Sequence, residues 1–573
     1  MKKTGKNVLD YLGNILEFSI DNPTRALLIL SVIFGIAIRI VNFMNYEYIA
    51  HPDEIFQSLE PAHKLVFGYA SLPPEFQQEV PNSPYYGRAR SWLFPIFFAI
   101  PMFIMNRLGF DYFTVILPTM YFLGVISSIL LIFSTWYLLK IISENEQIAD
   151  LTAGIVAITP HISYLSARLL TNSMLLPPLF LALATTIKLH REGKSPNLWE
   201  FLIIVFGFGI VSYIRLDLAI VVIFFAIVEL LGWKDGKIVL VKPKILRDVI
   251  TAVIIGWIIG MLTDYILFDS NQIIDLWQVP YNWFMFNFVV GGSSKFGVSP
   301  FGFYFRATLA IDKSDLFIFL GALTLVLYQI IALIFENSHD PMIQYNLKKL
   351  SKTIFNYLKF SIAIAISWTI YEWPFNNGID FGAMSHKELR FILNLLVLYR
   401  LYIGFTIFLL LELLDFVVSF FKFRETEVKI RKIGMKGYYV KLLAIFIIIM
   451  FSLQMIPLNN SLTASYKQYK DTNNALRWVG QQEDANGVVI LMNWYYTGGY
   501  TYFHVNKEKV ILNWNEAEVI ILIYLTTTDL NYVIVPKYVY TFYKDLYHTL
   551  IKENWQLTNL FENTEVWKRV VSS

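Results

Sequence analysis

Two adjacent carboxylates, Asp53 and Glu54, follow His51 and Pro52, with Gln57, Glu60 and His63 after them. Proline suits the first turn of a helix, because its missing N–H costs nothing there. On a helix running to about Phe67, Asp53, Gln57 and Glu60 recur at spacings of four and three and share a face, which His63 extends. Ile55, Leu59, Ala62 and Val66 form the complementary apolar stripe. The pattern predicts an amphipathic surface helix, and a carboxylate on its polar face can take a proton from an attacking hydroxyl. It also fits a solvated face whose first-turn acids are favoured by the helix dipole.

Further ionisable groups sit beside apolar runs. Arg88, Arg90 and Ser91 precede the stretch Trp92 to Met105, and Arg168, Thr171, Asn172 and Ser173 occupy a short turn. Arg215 and Asp217 form another turn, and Asp264 lies near the end of an apolar run. Ser385, His386, Lys387, Glu388 and Arg390 make a dense charged patch. A lone Arg in such a place is commonly a snorkelling anchor, but several cations and carboxylates together suggest function or mutual pairing. The segment 269–312 is different, carrying Trp277, Tyr281, Asn282, Trp283, Phe286 and Asn287 before Gly291 and Gly292. That composition suits an aromatic interfacial belt or a loop that moves over a site.

The elements that must position these groups are membrane helices. Of 573 residues, 56% are hydrophobic and 16% charged, and mean hydropathy is +0.50; soluble domains carry roughly a quarter charged residues. Repeated apolar runs of about 20 residues predict a polytopic helical protein. A net charge of +3 gives no reason to expect nucleic acid, and the absence of cysteine excludes disulfides and thiolate metal sites. No cleavable signal peptide is read at Met1-Lys2-Lys3, so the first apolar run is expected to stay as a signal anchor.

The basic segments Lys188 to Lys194, Lys234 to Arg247, Lys348 to Lys352 and Lys422 to Lys436 should be cytoplasmic, with the N-terminus. Working back from them gives about eleven spans, near 25–44, 112–140, 148–167, 173–188, 198–214, 216–233, 248–268, 314–336, 355–373, 402–421 and 438–457. Trp92 to Met105 is too short to cross, and is read as a surface helix; 387–401 is read as a surface or partly inserted one. Residues 45–111, 168–172, 269–312 and 374–390 then lie outside. So does everything after about 458. The chain thus divides into a transmembrane domain, 1–458, and a soluble α/β domain, 459–573. In the latter, Gly487 to Trp494, Lys509 to Trp514 and Asn531 to Lys537 read as strands. Thr541 to Glu553 reads as a helix, and Trp555 to Arg569 as a closing hairpin.

His51-Pro52-Asp53-Glu54 with Gln57, Ser58, Leu59, Glu60 and His63 resembles the opening motif of the lipid-phosphate mannosyltransferases of glycosyltransferase family 22, which build GPI anchors and the dolichol-linked oligosaccharide. Arg90-Ser91 with Pro95, Arg168 to Ser173, then Asp264, Asn282, Phe286-Asn287 and Phe296-Gly297 to Tyr304 follow the family's order, and His386-Lys387-Glu388-x-Arg390-Phe391 completes it. The similarity runs from about 30 to 395. The chain departs from the family at four places: Leu175 replaces a Glu, Ser299 to Tyr304 lacks two histidines, Pro73-Pro74-Glu75-Phe76 stands for Thr-Trp-Glu-Trp, and Arg215 lacks a following Pro-Thr. These departures fall where sugar or acceptor is expected to bind. Composition alone, cysteine-free and rich in Ile, Lys and Asn, points to an archaeal or other prokaryotic relative.

The resemblance implies a GT-C fold and an inverting transferase that moves mannose from a polyprenyl-phosphate donor to a lipid-linked glycan, outside the cytoplasm, with no cofactor and no metal. In that mechanism Asp53 is the base and Glu54 its helper. Arg168, Lys387, Arg390, Arg90 and His386 are the candidates for the donor phosphate. His51, Gln57, Glu60, His63, Thr171, Asn172, Arg215, Asp264, Asn282, Asn287 and Glu388 are candidates for sugar and acceptor. Membrane lipid, donor and acceptor are the expected partners. One alternative changes the sugar, for example to glucose. Another is a transporter of lipid-linked sugar, although transporters place ionisable groups near the midplane.

Overall fold

The computed structural model describes residues 23–44, 51–81, 85–216, 218, 231–234, 237–240, 243–290, 303, 306, 315–335, 341–372, 393–425, 469–492, 497–512, 530–541, 543, 545–552 and 555–570. By Cα proximity the chain forms two compact units. One comprises Met1–Ile40, Val125–Ala167 and Asn172–Met455; the other comprises Val41–Gly124, Arg168–Thr171 and Ile456–Ser573.

The protein is a mostly helical integral membrane protein with a small sheet at its C-terminal end. Among the described residues, six helices are long and apolar enough to cross: Thr24–Met44, Tyr112–Ser143, Thr171–Glu192, Leu246–Leu267, Phe317–Phe335 and Leu393–Leu413. Glu146–Ile158 and Pro160–Ser166 meet at 71°, as a broken span or a re-entrant loop does. In lipid each backbone polar group must be satisfied within its own segment, which is why these runs are helices. Ile29, Leu30, Ile33 and Phe34 remain exposed on the first of them, a surface suited to acyl chains rather than water.

Inside the larger unit an arginine knits the bend between these two helices. Pro160 has no N–H to donate, so the helix before it ends at Ile158. The carbonyl oxygen of Ala157 accepts from Ser163 Oγ at 3.0 Å and from Arg39 Nη1 at 2.8 Å. Arg39 also donates to Gly35 O at 2.9 Å and, through Nε, to Ser128 Oγ at 2.5 Å, and Ser128 in turn contacts Ser166. Close approach of the helices needs Gly35, where a Cβ would lie 2.4 Å from Ala157 O.

Three expectations are corrected. Residues 387–401 and 402–421 were expected as separate segments, but Leu393–Glu425 is one helix of 33 residues. It contains no proline, and its Arg400 is buried, so nothing interrupts it. Lys348 to Lys352 was expected in a loop and lies within the helix Pro341–Glu372. Part of the basic segment Lys234 to Arg247 is a hairpin, β1 (Leu231–Lys234) pairing antiparallel with β2 (Lys237–Leu240), after which Pro243–Leu267 begins. The expected span 438–457 lies outside the described residues. Leu93–Arg107 is a 15-residue apolar helix, only about 22 Å long and short of the roughly 30 Å a crossing needs.

The C-terminal strands follow the sequence reading closely: β3 (Gly487–Leu491), β4 (Glu508–Leu512), β5 (Tyr532–Pro536), β6 (Trp555–Phe561) and β7 (Thr564–Arg569), in the order β4-β3-β5-β7-β6. β3 runs parallel to β4 and β5, and β7 runs antiparallel to β5 and β6. β3 and β5 are buried throughout, as continuous apolar runs at the centre of a sheet should be. Val489, Leu491, Val533 and Val535 pack with Leu546, Leu550, Trp555 and Trp567 in one core.

Candidate active site

The site is built on the run 53–67, which is helical but not uniform. Ile55–Leu59 forms a wider π-helical turn, and an α-helix follows over Glu60–Phe67. Such turns insert an extra residue and recur at functional sites. The run is also largely buried: every residue from Glu54 to His63 is shielded, Asp53 before them is partly accessible, and the surface is met again from Lys64 onward. The expected amphipathic surface helix is therefore overturned. Its polar stripe splits into two pairs, because the wide turn takes Glu60 and His63 out of register with Asp53 and Gln57.

At its start the helix is capped reciprocally. His51 Nδ1 accepts the Asp53 N–H at 3.1 Å, and Glu54 Oε1 accepts the His51 N–H at 3.0 Å, the logic of a capping box with histidine as the cap. Asp53 Oδ1 lies 3.6 Å from His51 Nδ1. That nitrogen's lone pair is already engaged by a backbone donor, so in the neutral ring the proton sits on Nε2. Asp53 is the least enclosed acid of the group, with 16% of its side chain accessible.

Arg168 arrives from the turn between apolar helices. Its Nη1 is 3.8 Å from Glu54 Oε2, and both side chains are buried. Ser58, on the π turn, fixes that approach by donating to Leu169 O at 2.7 Å. A second wall comes from residues 75–91. Ala89 N and Arg90 N donate to Glu75 O at 3.0 and 3.2 Å, setting Arg90 beside Glu75. Gln57 Nε2 donates to Glu75 Oε1 at 3.2 Å. Burial pushes the Glu75 carboxyl upward, the Arg90 charge opposes this, and the nearby Asp53 carboxylate adds to it. Ser91 Oγ accepts the Leu93 N–H at 3.1 Å, at the start of the helix Leu93–Arg107.

The structure thus gathers His51, Asp53, Glu54, Gln57, Arg90 and Arg168, and adds Glu75. Glu75 was no candidate on sequence, yet within Pro73-Pro74-Glu75-Phe76 it keeps the Glu of the resembled Thr-Trp-Glu-Trp, and that is the signal that could have found it. Glu60 and His63 face protein groups instead. Glu60 accepts from Ser71 N at 2.6 Å and from Thr501, while His63 bonds Tyr69 O and His504. Thr171 is buried in the same unit as Arg168.

Asn172, Arg215, Asp264, Asn282 and Asn287 belong to the other unit. There Tyr213 donates to Asp264 Oδ2 at 2.8 Å, and Asn287 Nδ2 donates to Trp283 O at 2.8 Å within its own helical turn. Arg215 and Asn282 are buried. His386, Lys387, Glu388 and Arg390 lie outside the described residues. Among the described residues no group of three or more His, Asp or Glu is placed to hold a metal ion.

A partly accessible carboxylate at a helix start, with one arginine on its neighbour Glu54 and another beside the buried Glu75, can accept a proton. The sequence profile of the Alg9-like mannosyltransferase family matches residues 30–504. The chain is 31% identical over 147 residues to GPI alpha-1,2-mannosyltransferase 3 of Mus musculus, a match covering 25% of this chain and 24% of that protein. It is 26% identical over 186 residues to GPI mannosyltransferase 3 of Debaryomyces hansenii, covering 30% and 31%. The chain therefore spans about a quarter to a third of the length of these curated relatives. Among solved structures it resembles ArnT from Cupriavidus metallidurans in the apo state, with a TM-score of 0.51 at 9% identity over 94% of this chain and 98% of that one. That likeness is one of fold, and ArnT shares the GT-C architecture.

Proposed function

The chain belongs to the Alg9-like mannosyltransferase family, and from that membership we propose that it transfers mannose from a polyprenyl-phosphate donor to a lipid-linked glycan, with inversion, on the extracytoplasmic face. The observation that carries this reading is the placement of Asp53. It combines accessibility with a capped helix start, a buried arginine on its neighbour Glu54 and a second arginine beside Glu75, the acid that Gln57 holds.

In the proposed reaction an acceptor hydroxyl attacks the anomeric carbon of the donor. Asp53 takes the hydroxyl proton as the new glycosidic bond forms and the bond to the lipid phosphate breaks. The phosphate leaves as an anion already stable at neutral pH, so it needs cations rather than a protonated acid. Arg168 and Arg90 supply them, and Lys387, Arg390 and His386 of the family's charged motif are proposed for the donor phosphate from their sequence alone. Glu54 is not a second base, because its carboxylate caps His51 and holds Arg168. Gln57 ties Glu75 into the wall opposite. His51 and Thr171 are proposed for the sugar, and Asn172, Arg215, Asp264, Asn282, Asn287 and Glu388 stay proposals for sugar or acceptor from their sequence motifs alone.

The test is turnover by the purified full-length protein of labelled polyprenyl-phosphate mannose and polyprenyl-phosphate glucose, with mass spectrometry of the lipid product. Mannose transfer is expected. Transfer of glucose alone, or movement of donor across vesicles without any product, would replace this reading.

A further inference from the structure

The segment Gly498–His504 meets the helix that carries Asp53 at two points, both within one compact unit. At the first, Glu60 is fully buried, and its Oε1 accepts Thr501 N at 2.5 Å and Thr501 Oγ1 at 2.8 Å. Thr501 is the third residue of the short helix Gly499–Phe503, so a carboxylate 441 positions away supplies the acceptor its first turn lacks. The remaining oxygen, Oε2, accepts Ser71 N at 2.6 Å. Gly499 has φ +60, and a Cβ there would fall 2.5 Å from the Glu60 carboxyl carbon and Oε1. Only glycine lets the backbone come this close. Lys509 supports the carboxylate from the adjacent strand: its buried Nζ lies 4.2 Å from the Tyr500 ring centroid, and its charge favours ionised Glu60 against the cost of burial.

At the second point His63 Nε2 lies 2.9 Å from His504 Nδ1. The His504 ring stacks flat on Tyr112, with centroids 3.6 Å apart and planes at 4°, and Phe67 meets it edge-on at 4.7 Å. Both contacts fall within one turn of the helix Glu60–Phe67.

A sugar-binding role for these side chains conflicts with this geometry. Glu60 and His63 have no accessible surface, and protein donors already occupy both Glu60 oxygens. We propose that Glu60 and His63 are positioning residues, through which the C-terminal segment Gly498–His504 clamps the helix Glu60–Phe67 and so sets the direction of Asp53 across the π turn. Asp53 lies seven residues back, about 10 Å along the axis, so a small rotation at the clamp becomes a displacement of the carboxylate. Misplacement of about 1 Å can cost two orders of magnitude in rate. The clamp rests on the mannosyltransferase reading only for its catalytic consequence.

The experiment compares full-length wild type, Gly499→Ala, Thr501→Val and Thr501→Ser in detergent, with two readouts. Hydrogen exchange of amides 53–67 needs no substrate, and it should rise at least tenfold in Gly499→Ala and Thr501→Val while the amides of Leu393–Leu413 are unchanged. With donor and acceptor, kcat should fall tenfold or more in both variants with each KM within twofold. Thr501→Ser should restore both measures. Thr501→Val introduces no clash, so it decides the matter if Gly499→Ala does not fold. Wild-type exchange at 53–67 in both variants overturns the clamp whatever the activity. So does raised exchange with unchanged kcat, or a raised acceptor KM with kcat kept, which would make Glu60 a ligand. An inactive wild type would refute the mannosyltransferase reading alone, and faster exchange would still support the clamp.

Discussion

His63 and His504 fix each other's tautomer. Tyr69 O lies 2.9 Å from His63 Nδ1 and can only accept, so that nitrogen carries the proton and His63 Nε2 accepts from His504 Nδ1. Burial, the largest cause for each, lowers His63 to about 3 and His504 to about 4. Lys509 and the His504 charge add to the effect on His63, while Asp111 opposes it on His504.

The sign of the pH dependence follows. Unfolded histidine titrates near 6.5, so between about pH 6.5 and 4 the unfolded chain binds more protons and stability falls as pH falls. At about 1.4 kcal/mol per pKa unit, the pair contributes on the order of a few kcal/mol. The melting midpoint should drop from pH 7 to pH 4.5. His504→Asn should shallow that slope, since asparagine tolerates the positive φ of 47° found there and does not titrate. An unchanged slope would remove His504 from the account.

Asp53→Asn keeps the shape of the side chain and removes its basicity. Loss of a general base costs about 10²–10⁴ in rate, so kcat should fall by that factor, with donor binding and melting temperature close to wild type. Single-turnover transfer and donor binding measured on the same preparation check it. Wild-type turnover would move the base elsewhere.

Glu54 and Arg168 should behave as a unit. Removing one member of a buried pair strands the other's charge, at a cost of about 3–5 kcal/mol. Glu54→Gln and Arg168→Gln should each lower stability strongly, and the double variant should lose much less than their sum. A double-mutant cycle on the denaturation midpoint measures this. Strict additivity would show that the 3.8 Å approach carries no coupling.

Gly35→Ala drives a methyl group into the Ala157 carbonyl oxygen. Overpacking of this kind costs about 1–3 kcal/mol, and it should also disturb the Arg39 bond to the same oxygen. A lowered melting temperature in detergent is expected, with KM values unchanged.

Apolar runs, strands and candidate acids were legible wherever the information is local. β3 and β5 read as strands because Val-Val-Ile-Leu and Tyr-Val-Ile-Val are continuous β-formers. The helix after Pro52 read correctly because proline, acids and apolar spacing agree. Its π turn did not, since a count at 3.6 residues per turn assumes a regular helix and nothing in Ile55–Leu59 announces the extra residue. The fate of Glu60 and His63 was hidden for another reason: their partners Thr501 and His504 lie 441 positions downstream. Leu393–Glu425 was split because the charged patch before it suggested a surface segment, whereas burial of Arg400 lets one helix run through.

The distance of 441 positions between Glu60 and Thr501 is also an interval of time. At roughly 5–20 residues per second, the helix bearing Asp53 leaves the ribosome roughly 20–90 s before the residue that grips it. Through that interval the acid-bearing loop exists without its fastening, in a membrane already holding the spans on either side. A chain cut short anywhere before Thr501 would insert its first helices and still lack the grip on Glu60. Completion of synthesis is thus itself a condition for assembling this loop.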